Sequence, residues 1–339
     1  MIAKSSSEIR VAVVGLGYWG PNLLRNFSHI KNVNVVYGCD LLKENLSKLS
    51  LEYPSVKFIT NFNDILNDNS IDLVAIATPL STHFELAKKA LNANKHVLLE
   101  KPMVNNSKEA KYLISLAKKK KKILMVGYTF IYSEPIKKIE KIIKSGQLGK
   151  IYYFDSNRIN LGLLQKDVSV VWDLACHDLS ILHYLFSKRP ISIQTFGSKY
   201  VNTKHNEIAH LIIRYKDNIT AHINVSWLSP VKIRSIVIGG SKKMITYDDI
   251  SPNEKVRIYE KSITLKKTKI TPFSPAYRSG DVIIPYINQT ESLKNELEHL
   301  INCIRNKKNP ITDGEMGLEI IKLLEASDKS LKLKSEIKI

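Results

Sequence analysis

Asp173 and His177 stand four residues apart in the run Trp172-Asp173-Leu174-Ala175-Cys176-His177-Asp178. On a helix that spacing sets both side chains on one face. A carboxylate beside an imidazole fixes its tautomer and raises its basicity, which suits a base that removes a hydroxyl proton. The same two residues would serve as a pair of metal ligands, but no third ligand follows at a suitable spacing, so no metal is expected. The plain alternative is a histidine satisfied within the fold. Asp178 falls on another face and reads as a capping or pairing residue. Lys101, in Glu100-Lys101-Pro102, is a second polar group with chemical use. A lysine hydrogen-bonds a substrate hydroxyl, and its pKa falls in a partly buried cationic site. Its plain alternative is a solvated surface lysine.

A third set of residues points to a nucleotide. Val11-Ala12-Val13-Val14-Gly15-Leu16-Gly17-Tyr18-Trp19-Gly20 reads as a short buried strand, a glycine turn and the start of a helix, and Asp40 closes a second apolar run, Val33 to Cys39. An acidic residue about 20 positions beyond the glycines is the spacing of a dinucleotide site. Gly15 permits the tight turn, Gly17 lets the backbone approach a pyrophosphate, and Gly20 lets the helix pack closely on the strand. The helix N-terminus offers free N–H groups to the phosphates. A carboxylate at Asp40 accepts hydrogen bonds from ribose hydroxyls and repels a 2′-phosphate, which favours NAD(H) over NADP(H).

The surrounding elements agree. Apolar runs at 11–14, 33–39, 56–59, 71–77, 96–99 and 123–127 alternate with helical patterns, which predicts a doubly wound parallel sheet over residues 1–127. Thr78-Pro79 ends the fourth strand and Glu100-Lys101-Pro102 follows the fifth, so Thr78, Pro79 and Lys101 are expected at the carboxyl edge where ligands bind. Thr82 and Glu85 have the spacing of a capping box, as do Thr312 and Glu315. His83 alone reads as a polar residue near a helix N-terminus, and His96 as structural. After about residue 130 the pattern changes. A helix over 134–145 is followed by strand signals at 150–158, 191–200, 208–216, 219–227, 231–239, 243–248 and 255–260, with helices over 171–186, 291–305 and 313–329. Residues 128–339 are therefore expected to form a second, α+β domain with a large, mostly antiparallel sheet.

The chain has 339 residues and a formal net charge of +19. The excess is mostly Lys, spread along helix faces. Its densest run, Lys118 to Lys122, ends a helix and lacks the Arg and aromatic residues of a nucleic-acid surface, so no nucleic acid is expected. A basic surface still suits an anionic metabolite. No apolar run approaches a membrane span. The polar stretch from Met1 to Arg10 lacks a signal-peptide core. Cys39, Cys176 and Cys303 show no metal or redox spacing, which suits a reducing cytoplasm.

Together these residues resemble the glucose–fructose oxidoreductase, inositol dehydrogenase and rhizopine catabolism (Gfo/Idh/MocA) family. The resemblance rests on Gly15-Leu16-Gly17-Tyr18-Trp19-Gly20, Ala77-Thr78-Pro79 with Thr82-His83, Glu100-Lys101-Pro102, and Asp173 with His177. It implies a Rossmann domain followed by an α/β domain whose open sheet forms oligomer contacts, in a homodimer or homotetramer. It also implies oxidation or reduction of sugars and cyclitols with NAD held between the domains. Gly15, Gly17, Tyr18, Trp19, Gly20, Asp40, Thr78, Pro79, His83, Glu100 and Lys101 would then hold the cofactor. Lys101, Asp173 and His177 would act on the substrate.

A narrower likeness is to nucleotide-sugar 3-dehydrogenases acting on UDP-N-acetylglucosaminuronate in surface polysaccharide synthesis. It rests on Gly17-Tyr18-Trp19-Gly20-Pro21-Asn22, Gly127-Tyr128-Thr129-Phe130, and Arg158-Ile159-Asn160-Leu161-Gly162 through Trp172-Asp173-Leu174. It implies a sugar pocket lined by Arg158, Asn160 and Gln165, with Arg278 as a phosphate or carboxylate partner and Tyr277 and Tyr286 packing against the nucleotide from a loop. Cys176 stands where that group usually has Pro, and Tyr128 where it commonly has His. Two other functions stay open on the residues: a cyclitol or free-sugar dehydrogenase or keto-sugar reductase, and an NAD(H)-binding redox sensor without turnover.

Overall fold

The computed structural model describes residues 8–162, 164, 167–201, 204–265 and 275–339. The chain forms two compact units, Met1–Tyr132 with Thr290–Lys322 and Ser133–Gln289 with Leu323–Ile339.

The first unit alternates β1 (Ile9–Val14), α1 (Gly20–Ser28), β2 (Val33–Cys39), α2 (Lys43–Ser50), β3 (Lys57–Ile59), α3 (Phe62–Asn67), β4 (Leu73–Ile76), α4 (Leu80–Asn92), β5 (His96–Glu100), α5 (Ser107–Lys120) and β6 (Leu124–Gly127). The strands pair in parallel in the order β3-β2-β1-β4-β5-β6. Val11, Ala12 and Val13 of β1 and all of β4 are fully buried. Short runs of this kind, apolar on both faces, need helices on both sides. The strand order reverses between β1 and β4, so a crevice opens at their carboxyl ends. The lysine run ends α5 as expected. Lys121 closes the helix in the left-handed region (φ +54), with Lys118, Lys119 and Lys120 in the last turn, where the dipole favours cations.

His96, at the start of β5, accepts the Ile123 N–H at Nδ1 (2.9 Å). Burial, aided by the charge of Lys122, lowers its pKa to about 4. The folded state therefore keeps the ring neutral. Its stabilising effect is complete above the ordinary pKa of 6.5 and is lost as pH falls toward 4, a term of about 3 kcal/mol. Thermal midpoints measured across that range should fall more steeply for the native chain than for His96→Gln; equal slopes would contradict this assignment.

The second unit contains α6 (Glu134–Lys144), β7 (Ile151–Leu161), a π turn (Val171–Ala175) leading into α7 (Cys176–Phe186), β8 (Pro190–Ser198), β9 (Ile208–Tyr215), β10 (Thr220–Ser226), β11 (Leu228–Gly240), β12 (Met244–Asp248), β13 (Val256–Leu265) and β14 (Pro275–Ile283). The last elements of the chain are α8 (Ser292–Asn306), α9 (Gly314–Leu333) and β15 (Ile337–Lys338). Among the described residues the sheet order is β14-β13-β12-β11-β7-β10-β9-β8-β15. It is mostly antiparallel, with β7 and β10 parallel. In β9, Ala209, Leu211, Ile213 and Tyr215 are buried while the residues between them are not. That alternation marks a sheet covered on one face. The cover includes α7, whose Phe186 ring meets Phe154 of β7 and Tyr215 of β9 edge-on, each at 5.9 Å.

Residues 290–322 pack with the first unit. This corrects the boundary that placed everything after residue 127 in the second domain. Arg25 of α1 forms a two-pronged pair with Glu291 (2.6 and 3.1 Å). Val126 of β6 exchanges hydrogen bonds with Thr312, whose hydroxyl donates to the Val126 carbonyl at 2.7 Å. An amphipathic helix does not declare which sheet it covers, so the sequence pattern missed this return. Neither expected capping box forms. Thr82 Oγ1 donates to the Pro79 carbonyl at 2.7 Å and α4 starts at Leu80. Asp313 replaces Thr312 as the cap, accepting Met316 N–H at 3.0 Å.

Candidate functional site

The glycine turn of the first unit is built around close approaches. Gly15 has φ +87, the left-handed region. A Cβ there would lie 2.6 Å from the Ala77 carbonyl oxygen, and one on Gly20 would lie 1.9 Å from that of Gly15. Neither position admits a side chain. Gly17 differs, because a Cβ on it would meet no atom within 4 Å. The protein itself does not require glycine there, so the open space fits a ligand that approaches the backbone. No side chain caps the N-terminus of α1 and no acidic residue occupies its first turn, leaving the dipole and the N–H groups to an anion. Asp40 sits just beyond β2, held by Leu16 N–H on Oδ2 (2.7 Å) and Leu42 N–H on Oδ1 (2.8 Å). Each oxygen keeps a lone pair for a ribose hydroxyl. These residues fit a nicotinamide dinucleotide. Tyr18 is exposed and Trp19 half-buried beside them.

At the ends of β4 and β5, His83 braces two loops. Its side chain is buried; Nδ1 faces the Pro102 carbonyl at 3.0 Å and Nε2 faces the Thr78 carbonyl at 2.9 Å. This changes the expected role of His83. It positions the loops that carry Thr78-Pro79 and Lys101, with its ring directed at backbone oxygens. Thr78 Oγ1 and Thr82 Oγ1 share a hydrogen bond of 2.7 Å. Lys101 is half-buried, and its backbone N–H donates to Glu100 Oε2 at 3.3 Å. Burial pushes the Glu100 carboxyl up to about 7.

In the second unit, residues 171–186 do not form one uniform helix. Asp173 lies in the π turn, and His177 follows in the first turn of α7. A π turn inside a helix is uncommon and frequent at functional sites. Both residues are half-buried. Asp173 Oδ2 accepts from the indole of Trp227 at 3.2 Å, and Trp172 donates to Asp328 at 2.8 Å. The Trp227 carbonyl accepts Gly162 N–H at 2.9 Å, and its ring leaves no room for a side chain at Gly162, where a Cβ would lie 2.7 Å away. Trp227 thus joins the end of β7, including half-buried Asn160, to the π turn. No motif marked Trp227; it lies between two strands as one aromatic among apolar residues.

Two expected substrate contacts have partners within the fold. Arg158 is buried, and its guanidinium grips Asp178 with Nε on Oδ2 (2.7 Å) and Nη2 on Oδ1 (3.2 Å). Burial alone would lower its pKa, but Asp178 outweighs it and holds the guanidinium above its ordinary value. Alternation along β7 turns Arg158 toward α7, on the same face as Phe154 and Ser156, which donates to Asp178 Oδ1 at 2.6 Å. Arg278 and Tyr277 lie on β14, not in a loop, and Arg278 Nη2 donates to Glu260 at 3.3 Å. Four strand spacings separate β14 from β7, roughly 19 Å across the sheet. Gln165 lies outside the described residues. No helix among the described residues is long and apolar enough to cross a membrane.

A Rossmann-type sheet with a glycine turn and anchored acidic residue, followed by a large open sheet, defines a dinucleotide-binding architecture with a second α/β domain. The family model described as oxidoreductase family, NAD-binding Rossmann fold, matches residues 9–128, and that of the GFO/IDH/MocA C-terminal domain matches residues 136–246. The chain belongs to the Gfo/Idh/MocA oxidoreductase family, and its first unit is an NAD-binding Rossmann domain. It is 24% identical over 330 residues to the scyllo-inositol 2-dehydrogenase (NAD(+)) of Bacillus subtilis, a match covering 92% of each chain. It is 25% identical over 229 residues to a 1-carboxy-3-chloro-3,4-dihydroxycyclohexa-1,5-diene dehydrogenase of Comamonas testosteroni, covering 64% of this chain and 58% of that one. Among solved structures it resembles the WlbA dehydrogenase from Bordetella pertussis, in complex with NADH and UDP-GlcNAcA. There the TM-score is 0.81 and the identity 19%, over 98% of each chain.

Proposed function

We propose that this protein transfers a hydride to NAD from a secondary sugar hydroxyl, first of all the 3-hydroxyl of a UDP-N-acetylhexosaminuronate, in making precursors of surface polysaccharide. The observation that carries this reading is the convergence on Trp227. It holds Gly162 by its carbonyl and Asp173 by its indole, and so unites two segments on which the likeness to nucleotide-sugar dehydrogenases rests. The fold shared with a dehydrogenase crystallised with UDP-GlcNAcA supports the same substrate class.

Bound NAD would supply the hydride acceptor. His177 removes the hydroxyl proton and Asp173 orients it, with Trp227 fixing the carboxylate. Lys101 hydrogen-bonds the same oxygen and stabilises its developing negative charge. Lys101 and His177 can exchange these roles, because either can relay a proton. Gly17 and the free N–H groups at the start of α1 would hold the pyrophosphate, in a turn that Gly15 and Gly20 shape, and Asp40 would take the ribose hydroxyls. Asn160 contacts the sugar. The enzyme acts in the cytoplasm as a homodimer or homotetramer.

The match to an inositol dehydrogenase over 92% of its length favours a second reading, a cyclitol or free-sugar dehydrogenase. A panel of UDP-sugars, free sugars and inositols, followed by NADH absorbance with and without added NAD and 2-oxoglutarate, separates them. The expected result is a signal confined to UDP-N-acetylglucosaminuronate. Turnover of inositols or free sugars alone would replace the substrate class. Tight NAD binding with no turnover on any substrate would favour the redox-sensor reading.

A further inference from the structure

The loop that joins β8 to β9 carries a carboxylate that solvent does not reach. Glu207, the last residue before β9, is fully buried, and its Oε2 accepts two backbone N–H groups of its own loop, Tyr200 (2.6 Å) and Val201 (3.3 Å). Taking a carboxylate out of water is costly unless hydrogen bonds replace the water. A charged acceptor that takes consecutive N–H groups also fixes a loop more firmly than a neutral one. The base of the loop is tied as well. Glu207 N–H donates to the Ser198 carbonyl at 3.0 Å, beside the pairing of Ser198 with Ile208 in the sheet. Two successive carbonyls of this loop then reach the surroundings of Asp173. The Asn206 carbonyl accepts the N–H of Val170, directly before the π turn, at 3.0 Å. The Glu207 carbonyl accepts the backbone N–H of Trp227 at 2.9 Å. Asp173 hangs from both contacts. Its N–H donates to the carbonyl of Ser169, next to Val170, at 3.0 Å, and its Oδ2 accepts the Trp227 indole at 3.2 Å.

We propose that Glu207 is a positioning residue for Asp173. Its carboxylate sets the shape of the loop. The Asn206 and Glu207 carbonyls then seat the π turn and Trp227, and the Trp227 indole aims the Asp173 carboxylate. Every link in this chain is a hydrogen bond within the second unit. Backbone carbonyls can hold Trp227 only where the loop itself is held, and two of the loop's N–H groups end on one buried oxygen of Glu207. A buried N–H that loses its acceptor carries the full cost of its desolvation, so removal of the carboxylate releases the loop rather than leaving it in place. The effect on turnover rests on the roles proposed for Asp173 and His177. The hold on Trp227 is testable without substrate.

Two measurements on the full chain decide it. Without substrate, NMR follows hydrogen exchange at the Trp227 indole, with the signal assigned by Trp227→Phe. Glu207→Ala should quicken that exchange about tenfold or more, while the buried amides in the middle of β7 exchange as in the native chain. An unchanged indole, or equal quickening at the β7 amides, would overturn the proposal. With NAD and the best substrate of the panel, Glu207→Ala and Trp227→Phe should each lower kcat about tenfold or more and move KM little, as displaced catalytic geometry does. In the double variant the two losses should not multiply, because both act through one contact. Multiplied losses would show that Glu207 serves the fold apart from Trp227 and would contradict its positioning role. If Glu207→Ala fails to fold, Glu207→Gln, which keeps the shape and loses the charge, takes its place in both measurements. A panel without turnover would remove the proposed reaction, and the exchange rates would still decide the link from Glu207 to Trp227.

Discussion

Replacing Lys101 with Met is expected to lower turnover roughly a thousandfold, the usual size of a lost proton-transfer or charge-stabilising group, while NAD binding stays near that of the native chain. Methionine keeps the length of the stem and removes the ammonium. Lys101 follows β5 and is half-buried. The glycine turn and Asp40 belong to other segments of the same unit, so the dinucleotide cradle is untouched. Calorimetric titration with NAD and steady-state rates on the best substrate of the panel would separate the two effects. Unchanged turnover would exclude Lys101 from the chemistry. Loss of both binding and turnover would make it a cofactor residue alone.

Asp178→Ala should cost about 3–5 kcal/mol of stability, because it leaves the buried guanidinium of Arg158 without its counter-charge. Ser156 loses its acceptor in the same change. The paired replacement Arg158→Met with Asp178→Leu removes both charges and should cost far less than the single one. Thermal unfolding of the two variants beside the native chain checks this. A single variant as stable as the native chain would show that the pair contributes nothing. The pair also anchors α7 next to His177, so the double variant measures whether apolar packing alone keeps the candidate base in place. Retained stability with lowered turnover would assign the ion pair to orientation of α7.

The parts of the fold that were legible are those set by local periodicity. The runs predicted at 33–39, 96–99 and 123–127 correspond to Val33–Cys39, His96–Glu100 and Leu124–Gly127, because most of their residues are apolar and buried while the polar ones, Asn34, His96 and Glu100, sit toward the ends. The glycine turn was legible for a related reason, since Gly15 and Gly20 are imposed by backbone contacts that tolerate no Cβ. The misses share a different cause. Arg158 reads as a ligand contact because a lone arginine near a motif carries no mark of the Asp178 that neutralises it 20 residues away. His83 reads as a helix-terminal residue because its partners are carbonyls, which any residue supplies. β14 escaped notice because Pro275–Ile283 mixes charge and glycine into a strand with little buried side-chain surface. The π turn interrupts a helix whose apolar pattern runs on without a break.

The most direct test of hydride transfer uses UDP-N-acetylglucosaminuronate carrying deuterium at the third carbon, in a single turnover with bound NAD. Mass analysis of the released cofactor should show the deuterium in the reduced nicotinamide. Reduced cofactor without label would place the oxidation at another carbon. No reduction at all, with NAD bound, would contradict the assignment of this nucleotide sugar as the substrate.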